Sequence, residues 1–147
     1  MTYEMNLLAA SFELVKNKSK TIEMRLNDEK RKNLKIDDVI CFINVDTKEK
    51  LYAKVVKIDY FNNFFELYKA FPKSALGYQE NEEANPKDML KYYSLEQIEK
   101  YGVLGIEISI FENDRSLRIH NTKMLLKDFA KENLDEDLQK EIEEILK

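Results

Sequence analysis

The sequence has 147 residues, of which 44% are hydrophobic and 35% are charged, and its formal net charge is −4. This length and composition are typical of one globular domain and exclude a largely disordered chain. No apolar stretch approaches the roughly 18 residues of a membrane span, and the first residues lack the basic segment of a signal peptide. The single cysteine, Cys41, lies in an apolar run and cannot form an internal disulfide. We therefore expect a cytoplasmic protein.

The charge is distributed unevenly along the chain. Residues 16–35 contain eight lysines and arginines against three acidic residues, a local charge of +5. Residues 132–147 contain seven acidic residues against two lysines, a local charge of −5. The acidic segment is most simply a solvated surface, whereas the basic segment is either a second solvated surface or part of a site for an anionic partner.

The hydrophobic pattern of the first half predicts mostly strands. An opening strand or extended arm at residues 7–10 leads into a short helix at about residues 10–17. Residues 20–26 alternate between apolar and polar side chains, which is the pattern of a half-buried strand. Two further strands are predicted at residues 39–45 and 51–61, and the polar linker between them predicts a hairpin.

The second half is predicted to contain most of the helices. The expected elements are a helix from the Asn62–Asn63 cap to Tyr68, an exposed loop at residues 72–88, a helix at 95–100, a strand at 104–110 and helices at 122–131 and 134–146. Ser94 and Gln97 have the spacing of a capping box, and Gly102 is suited to end that helix. The last helix carries an apolar stripe formed by Leu134, Leu138, Ile142 and Ile145.

The order of these elements predicts the fold class. Strands are concentrated in the middle of the chain, and helices occupy the connections and the C-terminal part. The regular strand–helix alternation of a doubly wound parallel sheet is missing. We therefore predict an α+β fold, a small mixed or antiparallel β-barrel with helices packed around it.

The segment from Lys18 to Arg25 resembles the signature of the ASCH family. That signature consists of a glycine, one residue, a lysine, two residues, a glutamate, one residue and an arginine. Lys20, Glu23 and Arg25 match it, and Lys18 stands at the glycine position. Further segments resemble the family in the same order, namely Phe12–Val15, Leu34–Phe42 with Asp37 in place of a glycine, Tyr60–Leu67 and Met89–Ile106.

The resemblance covers roughly residues 5–110 and implies a particular architecture. It implies a PUA-like β-barrel domain over residues 1–112. Residues 113–147 lie outside the common core and are predicted to form a C-terminal helical extension packed on the same domain.

The strand at residues 20–26 supplies the first group of candidate site residues. Glu23 and Arg25 are about 7 Å apart on the face opposite Ile22 and Met24. Arg25 offers a planar fork for phosphate, carboxylate or a base edge, and Glu23 can accept from base amino groups or orient Arg25 and Lys20. The alternative is that Glu23 and Arg25 form an exposed ion pair, which has the same spacing and contributes little to stability. The resemblance implies that this strand lines a ligand cleft.

Tyr92, Tyr93 and Ser94 form the second group of candidate ligand-binding residues. Tyrosines combined with a basic segment are suited to stack on unpaired bases. The alternative is that the tyrosines belong to the core or to a lid and that Ser94 only caps a helix.

Several kinds of chemistry are not indicated by the sequence. His120 is the only histidine and has no cysteine nearby, so no metal site is expected. There is no glycine-rich phosphate loop and no nucleophile elbow. No cofactor is therefore expected.

Three functional hypotheses follow. The first is a module that binds RNA, a nucleoside or a nucleotide through Lys20, Glu23 and Arg25. The second is an enzyme in which Lys20 and Glu23 are catalytic. The resemblance suggests it, because some ASCH relatives are amidohydrolases acting on N4-acetylcytidine and others are proposed ribonucleases. Glu23 stands where those amidohydrolases have a threonine, which disfavours that chemistry. The third is an interaction protein whose acidic C-terminal helix packs on the barrel or forms a homodimer.

Overall fold

The computed structural model describes residues 2–147 and contains five strands and five α-helices within that range. The elements in chain order are β1 Thr2–Leu7, α1 Ala9–Lys16, β2 Ile22–Leu26, β3 Val39–Asn44, β4 Lys50–Phe61, α2 Phe64–Ala70, a 3-10 helix Pro86–Lys91, α3 Leu95–Tyr101, β5 Val103–Ile110, α4 Asp114–Asn133 and α5 Glu136–Ile145. The other predicted strands and helices are present with shifted ends, but the opening strand, predicted at residues 7–10, lies at Thr2–Leu7, and α1 already begins at Ala9. The largest shift is in α4, which begins at a capping box formed by Asn113 and Ser116 and not at residue 122.

The five strands form one sheet in the order β1-β3-β4-β5-β2. β1 pairs in parallel with β3, and the other neighbours are antiparallel, including the predicted β3–β4 hairpin. The sheet curls into a half-barrel with β1 and β2 as its edges, so the predicted α+β class is confirmed. A register shift in β4 between Val55 and Lys57 accounts for the irregular alternation of that strand.

Two apolar cores lie on the two faces of β2. The first contains Phe12, Ile40, Phe42, Leu104 and Ile106, and the second contains Ile22, Met24, Leu26, Phe64, Leu67 and Val103. Glu23 pairs with Ile106 and Arg25 with Leu104 in the β2–β5 register. Because directly opposed residues share a face, the polar face of β2 lies on the side of the first core. This face is therefore largely shielded from solvent.

The segment at residues 72–88, predicted as an exposed loop, is partly buried. The carbonyl of Ala75 accepts hydrogen bonds from the backbone N–H groups of Thr21 and Ile22, both at 3.0 Å. Leu76 is buried in the second core, and so is Met89 in the 3-10 helix that follows. The segment is thus attached to the start of β2, a long-range contact that the polar local sequence does not indicate.

The chain divides into two compact units, the first ending at Ile110 and the second comprising Phe111–Lys147. The second unit consists of α4 and α5, and the Asp135 side chain caps α5 by accepting from the Leu138 N–H at 2.9 Å. Among residues 2–147, no helix combines the length and the apolar character needed to cross a membrane.

Gly105 in β5 provides a test of the second core. A Cβ atom at this position would lie 2.9 Å from Cε2 of Phe71, whose ring packs edge-on against Phe61. We expect Gly105→Ala to lower the free energy of unfolding by about 1–3 kcal/mol, the range for an overpacked core. Urea denaturation of this variant and of Ser109→Ala, at an exposed position of the same strand, measures the effect. Equal midpoints for both variants would contradict the packing described.

Candidate functional site

A cavity of about 710 Å³ lies in the first unit, next to the edge strands β1 and β2. Its wall is formed by the end of β1, by α1, by β2, by the loop after α2 and by the 3-10 helix with the residues that follow it. The predicted site residues Lys20, Glu23, Arg25, Tyr92 and Tyr93 all line it. Ser94 does not belong to the lining.

Lys20 is held at the base of this cavity by backbone and side-chain contacts. Its N–H donates to the carbonyl of Leu14 at 3.0 Å, which fixes the chain between α1 and β2. Its aliphatic stem packs on Gly77, where a Cβ atom would lie 3.1 Å from Lys20 Cδ. Lys20 Nζ then donates to Ser11 Oγ at 3.0 Å and to Glu23 Oε1 at 3.2 Å. With 8% exposure, Lys20 is a fixed cation and not a mobile surface side chain.

Glu23 connects the two cations of the site. It is 3% exposed, and its Oε1 accepts from Lys20 Nζ and from the Met24 N–H at 2.9 Å, while Oε2 lies 3.3 Å from Arg25 Nη2. Burial alone would raise the pKa of Glu23, but the charges of Lys20 and Arg25 and the Met24 hydrogen bond lower it below its ordinary value. Both carboxylate oxygens are therefore engaged within the protein, and Glu23 orients the cations.

Arg25 joins the two edges of the half-barrel. Its Nη2 donates to the backbone carbonyl of Asn6 in β1 at 2.8 Å, although β1 and β2 are not paired in the sheet. Burial would lower the pKa of Arg25, but the Glu23 carboxylate and the Tyr93 hydroxyl raise it above its ordinary value. Arg25 thus contributes both to the closure of the barrel edge and to the charge of the cavity.

The two candidate tyrosines occupy different environments. Tyr92 is 57% exposed, so its ring is available at the mouth of the cavity. Tyr93 is half-buried and stacks on Phe64, with ring centroids 6.0 Å apart and an interplanar angle of 11°. Burial raises the pKa of the Tyr93 phenol, and the charge of Arg25 opposes this shift. Tyr92 is therefore the more exposed tyrosine of this pair and the one more accessible to a ligand.

Ser94 acts as a helix cap in the structure. Its side chain accepts from the Gln97 N–H at 3.2 Å, and Gln97 Oε1 accepts from the Ser94 N–H at 3.0 Å. This reciprocal pair is the predicted capping box at the start of α3.

The sequence did not indicate eight polar residues that line the cavity, namely Asn6, Gln79, Glu82, Lys91 and four that form side-chain hydrogen bonds with one another or with Lys20. These four are Ser11 on α1, Tyr68 on α2, Tyr78 in the following loop and Asp88 in the 3-10 helix. The Tyr68 and Tyr78 hydroxyl oxygens are 2.9 Å apart, and the Tyr78 hydroxyl donates to Asp88 Oδ2 at 2.7 Å. No local pattern marks these residues, since they come together from four separate segments of the chain.

Lys18, at the glycine position of the Lys-x-x-Glu-x-Arg signature, has an unusual backbone conformation. Its φ is +69°, and Asp37, the other residue found where the family pattern has a glycine, has a φ of +75°. Glycine adopts this left-handed region without a steric penalty, whereas other residues are strained there. The structure thus gives the physical reason for glycine at these two turns.

Among residues 2–147, no group of three or more His, Cys, Asp or Glu side chains could hold a metal ion.

Glu23→Gln tests whether the buried carboxylate stabilises the fold. The substitution leaves Lys20 and Arg25 without a compensating charge, so we expect a loss of about 3 kcal/mol in unfolding free energy at pH 7. The folded-state pKa of Glu23 lies below its unfolded value of about 4.3. Its ionisation therefore stabilises the fold above that pH, and the contribution is lost as the pH falls through the folded-state value. Urea denaturation at several pH values should show the two proteins converging below about pH 4.

Glu83→Gln is the matched control, because Glu83 is exposed and outside the cavity lining. It should leave the unfolding free energy within about 0.5 kcal/mol of wild type at each pH. A Glu23→Gln protein as stable as this control would contradict the role assigned to the carboxylate.

Comparison with known proteins places the chain in a family. The ASCH domain model matches residues 5–111. The crystal structure of hypothetical protein PH0355 is 32% identical, with a TM-score of 0.66, and the match covers 76% of this chain and 100% of that one. The solution NMR structure of protein PF0455 from Pyrococcus furiosus is 33% identical, with a TM-score of 0.62, covering 77% of this chain and 100% of that one. No protein with curated function matches significantly. The chain belongs to the ASCH domain family.

Proposed function

We propose that this protein binds single-stranded RNA or a nucleotide in the cavity beside β2. The observation that carries the proposal is the arrangement at the cavity base, where Lys20 and Arg25 are held on either side of the buried Glu23 carboxylate. Two cations against one anion give this part of the lining a charge of +1, whereas the lining as a whole, which also contains Lys91, Glu82 and Asp88, has a formal charge of zero. A site of this kind favours phosphate or another group rich in hydrogen-bond acceptors.

Hydrogen bonding at the cavity base supports the same class of ligand. Ser11 Oγ accepts from Lys20 Nζ, so the Ser11 hydroxyl proton remains to be donated. Lys20 has three N–H donors, and two of them are used by Ser11 and Glu23 among residues 2–147. The base of the cavity therefore offers donors, and the acceptor atoms of Glu23 are already occupied.

The size of the cavity and the tyrosine at its mouth suit a nucleotide. A volume of about 710 Å³ lies within the range of pockets for small ligands and cofactors, roughly 300–1,000 Å³. Tyr92 provides an exposed aromatic face, and stacking on such faces is the usual way in which proteins hold unpaired bases. The positive charge is local, which reconciles nucleotide binding with a net charge of −4.

The enzymatic alternative has less support. As an acid–base catalyst Glu23 would need a free carboxylate oxygen, but one oxygen accepts from Lys20 and Met24 and the other contacts Arg25. A hydrolase would use Ser11 Oγ as the nucleophile and Lys20 as its base, but Lys20 Nζ donates to Ser11 Oγ at 3.0 Å and would first have to lose a proton. Turnover of N4-acetylcytidine or of labelled RNA that disappears in Ser11→Ala would establish this alternative.

The buried free thiol of Cys41 supports the proposed cytoplasmic location, where thiols remain reduced.

Tyr92→Ala and Lys20→Met test the binding proposal. Loss of a stacked base costs about 1–3 kcal/mol, so Tyr92→Ala should weaken binding of a fluorescein-labelled single-stranded RNA hexamer at least about fivefold. Lys20→Met keeps the aliphatic stem and removes the charge. If Lys20 contacts a phosphate, this variant should lower the slope of log Kd against log salt by about 0.7. Fluorescence anisotropy at several salt concentrations measures both effects.

Tyr60→Ala is the matched control, since Tyr60 is 61% exposed and lies on β4 outside the cavity. It should bind the hexamer as wild type does. Circular dichroism establishes that each variant is folded at the assay temperature. Equal affinities and equal salt slopes for all four proteins would contradict the proposal.

We also propose that α5 pairs with a second copy of the chain. Leu138 and Ile145 on this helix are 44% and 76% exposed, and the apolar stripe to which they belong is a surface on which a second helix can pack. Replacing both by lysine should convert a dimer into a monomer in sedimentation equilibrium. Glu143→Lys, at an exposed position of the same helix, controls for the change in charge. A monomeric wild-type protein would contradict this proposal.

A further inference from the structure

The wall of the cavity contains a chain of three hydrogen-bonded side chains that the proposed phosphate-binding role does not use. Tyr68, Tyr78 and Asp88 are half-buried and come from α2, the following loop and the 3-10 helix. The Tyr68 and Tyr78 oxygens are 2.9 Å apart, Tyr78 lies 2.7 Å from Asp88 Oδ2, and the Tyr68 and Tyr78 rings meet edge-on with centroids 5.9 Å apart. These contacts fix the three side chains relative to one another.

The direction of the protons in this chain follows from its chemistry. A carboxylate can only accept, so the single hydroxyl proton of Tyr78 is donated to Asp88. The Tyr78 oxygen can then only accept from Tyr68, which uses the single proton of Tyr68. Burial and the Asp88 contact raise the pKa of Tyr78 well above its ordinary value, so the phenol keeps this proton.

The polar atoms left over on Tyr68, Tyr78 and Asp88 are all acceptors, whereas Gln79 and Lys91, which also line the cavity, carry N–H donors. Asp88 Oδ1 has no hydrogen-bond partner among residues 2–147, and the Tyr68 oxygen keeps its lone pairs. The cavity base, in contrast, offers donors from Ser11, Lys20 and Arg25. A ligand that satisfies both parts of the cavity carries acceptors at one end and N–H donors at the other.

We propose that Asp88, held by Tyr78 and Tyr68, selects nucleotides whose base carries an exocyclic amino group. This inference rests on the proposed nucleotide function and adds the class of base. The phosphate would lie against the donors at the cavity base, and the amino group would donate to Asp88 Oδ1 and the Tyr68 oxygen. Adenine and cytosine carry this group where hypoxanthine and uracil, respectively, carry a carbonyl oxygen. Guanine carries it at C2, where hypoxanthine has only a hydrogen atom.

The electrostatic reason for this selectivity is the charge of Asp88. A carbonyl oxygen placed against a carboxylate is repelled, and it leaves the carboxylate without a donor. A site built to hydrogen-bond an N–H group rejects analogues that lack it more strongly than an apolar pocket rejects a change in size, because its own polar atoms lose their partners.

Isothermal titration calorimetry with the 5′-monophosphates AMP, CMP, GMP, UMP and IMP tests the inference on the full chain. UMP and IMP should each bind at least about tenfold more weakly than the amino-bearing nucleotide that binds best. Asp88→Asn keeps the size of the side chain and adds a donor, so it should reduce this ratio to less than about threefold. Tyr78→Phe removes the hydroxyl that holds Asp88 and should reduce the ratio in the same direction.

Asp59→Asn, on β4 outside the cavity lining, is the matched control and should keep the wild-type ratio. The inference is overturned if UMP or IMP binds as tightly as every amino-bearing nucleotide, or if Asp88→Asn keeps the full ratio. In both of those cases nucleotide binding itself stands. If none of the five nucleotides and no RNA hexamer binds, the proposed function fails together with the inference.

Discussion

The buried carboxylate of Glu23 is the group on which the rest of the site depends. Two cations from the same segment, Lys20 and Arg25, are held by its two oxygens, and burial makes these contacts stronger than they would be in water. Removing three charged groups from water is unfavourable, and it is tolerated only because each is paired and hydrogen-bonded. The arrangement therefore fixes positions that flexible lysine and arginine side chains would not otherwise keep.

The fold provides this environment by covering both faces of one short edge strand. The apolar residues of β2 pack into the second core, while Glu23 and Arg25 lie on the side of the first core. Since β1 and β2 are edges of the sheet, the backbone groups between them would lack ladder partners. The hydrogen bond from Arg25 to Asn6 compensates for part of this loss. The same side chain thus serves the stability of the half-barrel and the charge of its cavity.

The cavity combines two kinds of hydrogen-bonding surface. Its base presents donors organised by Glu23, and the Tyr68–Tyr78–Asp88 chain presents acceptors whose proton positions are determined by one carboxylate. Polar networks in which every proton has a defined place are rigid, and a rigid arrangement of donors and acceptors discriminates between ligands of similar size. Gly77 leaves room for the Lys20 stem, since a Cβ atom there would lie 3.1 Å from Lys20 Cδ.

The sequence by itself determined the family, the fold class and the strand that carries Glu23 and Arg25, with Lys20 shortly before it, because alternation, capping boxes and the ordered signature are local properties of the chain. It also predicted the Ser94 cap through its spacing to Gln97. Only the tertiary structure decided that Glu23 is buried, that the segment at residues 72–88 is attached to β2, and that Ser11, Tyr68, Tyr78 and Asp88 line the same cavity. These features depend on contacts between elements far apart in the chain, and neither periodicity nor propensity encodes which elements meet.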